Sequence, residues 1–115
     1  MTNISHRSIT YIDLVLKGKW YDLIESGEKT AEYRRLCGFW WKRIFTSPWN
    51  FFHKPFGGFD LKHRYVRFRR GYGKDAPTML WYIGETGYVC VPQAEVQAEV
   101  GSNRVIKLEL LQRIA

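Results

Sequence analysis

The sequence predicts an α+β, β-dominated fold: a small β-barrel with one or two short helices in its N-terminal half. Three observations carry this expectation. Apolar and polar residues alternate around Ile12, Leu14 and Leu16, around Val66 and Phe68, and around Ile106, Leu108 and Leu110, the period of half-buried strands. In the N-terminal half, helical spacing marks two stretches, near Trp20 and near Trp40. Glycine-rich breaks at Gly71-Tyr72-Gly73, Gly84, Gly87 and Gly101 separate the apolar runs. A barrel is the natural closure, because it removes the exposed edges of an open sheet.

At 115 residues the chain is long enough for one domain with a real core and too short for two. A polar tail over residues 1–8 precedes a single domain over 9–115. Residues 9–16 read as a strand with Ile12, Leu14 and Leu16 inward and Asp13 outward. Trp20, Leu23 and Ile24 recur at i, i+3 and i+4, the buried face of a short helix that Ser26-Gly27 ends. Residues 29–35 form the next strand, with Glu32 and Arg34 on one face and Ala31 and Tyr33 on the other.

A second helix opens at Gly38, sets Trp40 and Ile44, with Trp41 and Phe45 as further candidates, against Lys42-Arg43, and ends at Pro48. Residues 49–63 have no clean period; Phe51, Phe52, Phe56 and Phe59 read as an aromatic loop over the barrel, or else as a contact surface. Residues 65–70 alternate, Val66 and Phe68 inward, Tyr65, Arg67 and Arg69 outward. Residues 74–77 are a turn and 79–83 a strand, which Gly84 and Gly87 connect tightly to a further strand over 88–91. Residues 93–100 alternate strictly and are taken as a strand, although Ala, Gln and Glu favour helix and place Val96 and Val100 four apart. The last strand spans 104–111.

The most compact polar group is Gly27-Glu28-Lys29-Thr30-Ala31-Glu32-Tyr33-Arg34, following a strand and a short Trp20-Tyr21-Asp22-Leu23-Ile24 helix. A core has no need of a turn lysine followed by a Glu/Arg pair, although a solvated strand face with an ordinary ion pair has the same pattern. The motif resembles the signature of ASCH domains, small PUA-like β-barrels associated with RNA. Phe39-Trp40-Trp41-Lys42-Arg43-Ile44-Phe45 and Val66-Arg67-Phe68-Arg69-Arg70-Gly71-Tyr72 are similar to two later stretches of that family. The resemblance covers about residues 12–82 and the final strand near 105–110.

Charge supports an anionic partner. The chain carries +7 with a pI of about 9.6. Residues 34–74 hold eleven bases and one acid, Asp60, hence +10, which leaves −3 for the rest. That segment also holds most of the aromatic residues, and cations interleaved with rings suit single-stranded or looped RNA. The candidate nucleic-acid-binding residues are Lys17, Lys29, Glu32, Arg34, Arg67, Arg69, Arg70 and Tyr72, with Trp40 and Tyr82 as further rings for stacking.

RNA or nucleotide recognition therefore ranks first. The resemblance also extends to small amidohydrolases acting on acylated cytidine, whose pattern needs a turn lysine, a threonine nucleophile three residues later and a distant carboxylate. Lys29 matches the lysine, but Glu32 occupies the threonine position and Thr30 is out of register. Lys29 and Glu32 are the catalytic candidates on that second reading, with Glu95 or Glu99 as the distant acid. A protein partner for the aromatic loop 49–59 ranks third.

Cys37 and Cys90 make no disulfide scaffold, and with His6, His53 and His63 scattered, no metal site or cofactor is expected. Without an apolar leader or a membrane span, the expected compartment is the cytoplasm. The sequence leaves the oligomeric state open.

Overall fold

The computed structural model describes residues 9–46, 61–91 and 93–115. The N-terminal tail, Pro48 and the aromatic loop 49–59 lie outside the described residues. In chain order the elements are β1 (Ile12–Leu16), α1 (Gly18–Glu25), β2 (Ala31–Arg35), α2 (Gly38–Ile44), β3 (Tyr65–Arg70), β4 (Thr78–Cys90), α3 (Ala94–Val100) and β5 (Arg104–Arg113). The five strands form one curled sheet, a half-barrel, in the order β1-β3-β4-β5-β2. Among these strands β1 and β3 run parallel; β3–β4, β4–β5 and β5–β2 are antiparallel. β1 and β2 are the two ends of that order, so the alternating residues close a core without a fully closed ladder.

The core sits in the concave side of the sheet. Ile12, Leu14 and Leu16 of β1, Val66 and Phe68 of β3, and Ile106, Leu108 and Leu110 of β5 all contribute to it, as their alternation requires. β3 aligns with β1 so that Val66 lies opposite Ile12 and Phe68 opposite Leu14, which puts both apolar sets on the same face. Two helices complete the packing: α1 buries Tyr21 and Ile24, and α2 buries Trp41 and Ile44, with Phe45 following.

Four local expectations are corrected. First, α1 is turned relative to the Trp20-Leu23-Ile24 face: Tyr21 and Ile24 point inward, while Trp20 and Leu23 are half-buried. With two adjacent aromatics, a single-turn pattern fits either phase, and the sheet takes Tyr21. Gly27 ends the helix at φ 84°, where the N–H of Gly27 reaches the Ile24 carbonyl. Second, α2 stops at Ile44, before Pro48, because Phe45 turns extended and forms a bridge with Leu61; Trp40 is half-buried.

Third, Gly84 and Gly87 do not reverse the chain. Residues 78–90 are one bent strand, with register shifts at Tyr82/Ile83 and Ile83/Thr86, and both halves pair with the long β5. Gly84 lies within the second shift, a bulge that bends the strand, while Gly87 pairs in register with Lys107. Fourth, residues 94–100 are a helix, which puts a third helix in the C-terminal half. The following strand, β5, is already paired on both sides by β4 and β2, so this segment cannot form a hairpin with it. Ala, Gln and Glu instead follow their helical propensity, Gly101 caps the end at φ 80°, and the Gln97 amide donates to the Val91 carbonyl at 2.6 Å.

Among the described residues, no helix is long and apolar enough to cross a membrane.

Helix phase has a direct test in stability. Ile24 is fully buried, so Ile24→Ala is expected to cost about 2–5 kcal/mol, and Leu23→Ala less than half as much. Urea unfolding of the two variants checks this; equal losses would contradict the observed phase.

Candidate functional site

The site lies where the half-barrel is left open, between the facing edges of β1 and β2. The carbonyl of Leu16 accepts from Gly71, beyond β3, so the carbonyl of Val15 points to the opposite side, toward β2. On β2 the Thr30 carbonyl and the Leu36 N–H are bonded to β5, so the odd-numbered residue Tyr33 turns its N–H away from β5 and toward β1. Side chains satisfy these edge groups in place of a ladder. Arg34 Nη2 donates to the Val15 carbonyl at 3.0 Å and to Glu32 Oε2 at 3.1 Å. Glu32 Oε1 accepts from the Tyr33 N–H at 3.0 Å and from Lys29 Nζ at 2.7 Å.

Glu32 is therefore a clamp. Its side chain is 6% exposed, against 16% for Lys29 and 18% for Arg34. Two aromatic rings complete the surroundings of the lysine: Lys29 Nζ lies 4.7 Å from the Trp20 ring centroid and 5.8 Å from that of Tyr33. The Arg34 guanidinium lies 4.9 Å from the Trp40 ring, and its buried Nε has no hydrogen-bond partner among the described residues. These contacts tie the first turn of α1, β2 and the start of α2 into one wall.

A cleft of about 430 Å³ opens beside the clamp. Lys17, Lys29, Glu32, Arg34 and Tyr72, all singled out from the sequence, line it together. Arg67, Arg69 and Arg70 do not. Arg67 forms a two-point pair with Asp13, its register partner on β1, at 2.9 and 3.1 Å. Arg70 does the same with Asp22 of α1 at 3.0 and 3.1 Å, and Arg69 donates to the Gly73 carbonyl at 3.2 Å. Tyr82 stacks near Tyr65 and carries the Arg64 guanidinium at 5.4 Å.

The cleft also takes residues that the sequence pattern did not single out: the side walls Trp20 and Tyr33, the rim cation Arg35, and Val96 and Val100 of α3. The four-residue spacing of Val96 and Val100 was the available signal, once residues 94–100 are read as helix. Of the two distant acids considered, Glu99 reaches the cleft and Glu95 does not line it. Glu99 pairs with Lys17 at 3.2 Å. Burial raises the Glu99 carboxyl pKa, but the hydrogen bond and charge of Lys17 outweigh this and hold it below the ordinary value. The Trp20 indole, which faces Glu99 without closing a bond of good geometry, and Lys19 add to the lowering. Asp22 is likewise held low, by its hydrogen bond from Arg70.

Among the described residues lining the cleft there is no Ser, Thr, Cys or His; Thr30 is exposed and outside it. Among the described residues, no group of three or more His, Cys, Asp and Glu side chains gathers to hold a metal ion. No family model, no curated protein and no solved structure matches the chain.

Removing the clamp is expected to be costly. Glu32→Ala leaves Lys29 and Arg34 unpaired in a largely buried site and is expected to lose about 3–5 kcal/mol, whereas Glu32→Gln, which keeps an acceptor for the Tyr33 N–H, loses less. Urea denaturation of both variants measures the difference; a change below about 0.5 kcal/mol in Glu32→Ala would remove the clamp from the account.

The lowered carboxyls set a pH dependence of defined sign. Groups whose folded pKa is depressed add stability above their ordinary values, 3.8 for Asp22 and 4.5 for Glu99, and that stability is lost as pH falls through the lower folded values. Unfolding curves taken from about pH 6 down to about 2.5 are expected to show a smaller acid loss in Asp22→Asn/Glu99→Gln than in the wild type. Parallel pH profiles would contradict the pairing.

Proposed function

We propose that the chain is an RNA- or nucleotide-binding module of ASCH type, recognising single-stranded or looped RNA at the cleft between β1 and β2. One observation carries the reading: the motif residues Lys29, Glu32 and Arg34 share a cleft with aromatic rings and with the rim cations Lys17 and Arg35. Its volume lies in the range of pockets that hold one small ligand, about 300–1,000 Å³. Rings supply stacking for an unpaired base and rim cations meet phosphate, the combination by which proteins hold single strands. Glu32 is mainly the positioning group: Oε1 already accepts twice, so only Oε2 has capacity left for a base-edge donor.

The basic outer face of β3 is secondary in this reading, because Arg67 and Arg70 are matched by Asp13 and Asp22. A second reading, hydrolysis of an acylated cytidine or of RNA, draws support from Glu99, which α3 carries to the cleft that holds Lys29. With Glu32 at the nucleophile position of the related amidohydrolases, such chemistry would rest on general acid–base activation of water.

Titration of labelled single-stranded RNA at several salt concentrations tests the first reading. Lys17→Ala/Arg35→Ala is expected to lower the salt slope by about 1.4, near 0.7 for each phosphate no longer neutralised, while Arg67→Ala/Arg69→Ala/Arg70→Ala changes it less. No binding at low salt, or an unchanged slope in the cleft variant, rejects the assignment. Product release from acylated cytidine that vanishes in Lys29→Ala would replace it with the hydrolase.

A further inference from the structure

Not all of the cleft's polar groups are equally committed. Lys29 and Arg34 are fixed on Glu32 and, through it, on the strand edges. Lys17 is different: its side chain is 71% exposed, and its partner Glu99 comes from α3, 82 residues away in sequence. Both Glu99 oxygens face the ammonium, at 3.2 and 3.4 Å, as two oxygens of a phosphate group would. α3 buries no residue, so Glu99 can leave Lys17 without opening the core.

The rings are graded in the same way. Trp20 already carries Lys19 at 4.5 Å and Lys29 at 4.7 Å, and Trp40 carries Arg34 and meets Phe39 edge-on at 4.9 Å. Tyr72 is 89% exposed. It stands on Gly71, whose N–H is bonded to the Leu16 carbonyl at 2.9 Å, one residue before Lys17. An uncommitted ring and an exchangeable cation thus lie side by side on one rim of the cleft.

We infer that this rim is a one-nucleotide subsite, in which Tyr72 stacks on a single base and Lys17 takes the adjoining phosphate, with Glu99 holding the phosphate position until the ligand displaces it. The inference rests on the nucleotide-binding reading and adds its ligand unit: one base with one phosphate, whether a free nucleoside monophosphate or one unpaired nucleotide of a strand. Arg35, exposed on the opposite edge strand, is left for a neighbouring phosphate of a strand. Glu99 acts as a built-in competitor, weakening phosphate-bearing ligands without touching the base.

The test compares calorimetric affinities for the four nucleosides, their 5′-monophosphates and short single-stranded trinucleotides. Three variants are used: Lys17→Gln, Glu99→Gln and Tyr72→Ala. In the wild type the phosphate is expected to add about tenfold over the nucleoside, and Lys17→Gln to abolish that gain. Glu99→Gln is expected to tighten phosphate-bearing ligands at least twofold and up to about fivefold, the most an exposed ion pair is worth, with nucleosides unchanged. Tyr72→Ala is expected to weaken nucleosides and nucleotides alike, by about tenfold. A gain confined to monophosphates assigns a terminal phosphate, and an equal gain for trinucleotides a diester; both support the subsite. Nucleosides that respond to Glu99→Gln as strongly as nucleotides, or a phosphate gain that survives Lys17→Gln, overturn the subsite and leave the cleft reading standing. Absence of binding by nucleosides, nucleotides and RNA alike overturns that reading and the subsite with it.

Discussion

The carboxylate of Glu32 is the contact on which the open side of the half-barrel depends. A curled sheet whose end strands do not pair leaves two rows of main-chain donors and acceptors facing each other, and burying them unpaired is costly. Here the Val15 carbonyl is met by Arg34 and the Tyr33 N–H by Glu32, with Arg34 and Glu32 bonded to one another. Lys29 is a second cation on the same carboxylate, so the group of three keeps a net positive charge. The same three residues therefore do what a run of ladder hydrogen bonds does elsewhere, and they do it while leaving a cleft beside them. Structure and site are not alternatives for this motif, since the bonds that finish the barrel also fix the walls of the pocket.

This arrangement also determines which parts of the basic segment line the cleft. Residues 34–74 carry a net +10, yet the acids that answer several of those cations come from before it: Asp13 for Arg67, Asp22 for Arg70 and Glu32 for Arg34. Each pairing follows from topology. β3 lies in register beside β1, which puts Asp13 opposite Arg67 on the outward face, and α1 crosses near the end of β3. Charge that is concentrated along the chain is thus partly neutralised across it. Arg35 lines the cleft at the end of β2, and Lys17, just past the end of β1, is met there by Glu99.

The third helix has a further consequence for the cleft. Had residues 94–100 extended the sheet, Val96, Glu99 and Val100 would not share one side. As a helix capped by Gly101, the segment turns all three toward the opening between β1 and β2. It brings a carboxylate to Lys17 and apolar cover to the far wall, and it does so without committing any residue to the core. A wall held in this way differs from the opposite one, where Trp20, Tyr33 and Trp40 are tied to the buried clamp.

By itself the sequence determined β1, β2, β3 and β5, the inward faces of β1, β3 and β5, and the polar motif at β2. Ile12, Leu14, Leu16, Val66, Phe68, Ile106 and Leu108 follow a period of two that local sterics impose, so their burial was legible residue by residue. Lys29, Glu32 and Arg34 were legible as a group because they lie within six residues on one strand and its turn. Tertiary structure alone decided the rest. Whether Trp20 or Tyr21 faces inward depends on how α1 settles against the sheet, and residues 94–100 cannot form a hairpin with the adjacent β5 because both its sides are taken. The bend of β4 at its bulges depends likewise on β5 running long enough to pair with both halves. Which cations are neutralised was decided by acids distant in sequence, because an ion pair forms between neighbours in space and periodicity reports only neighbours along the chain.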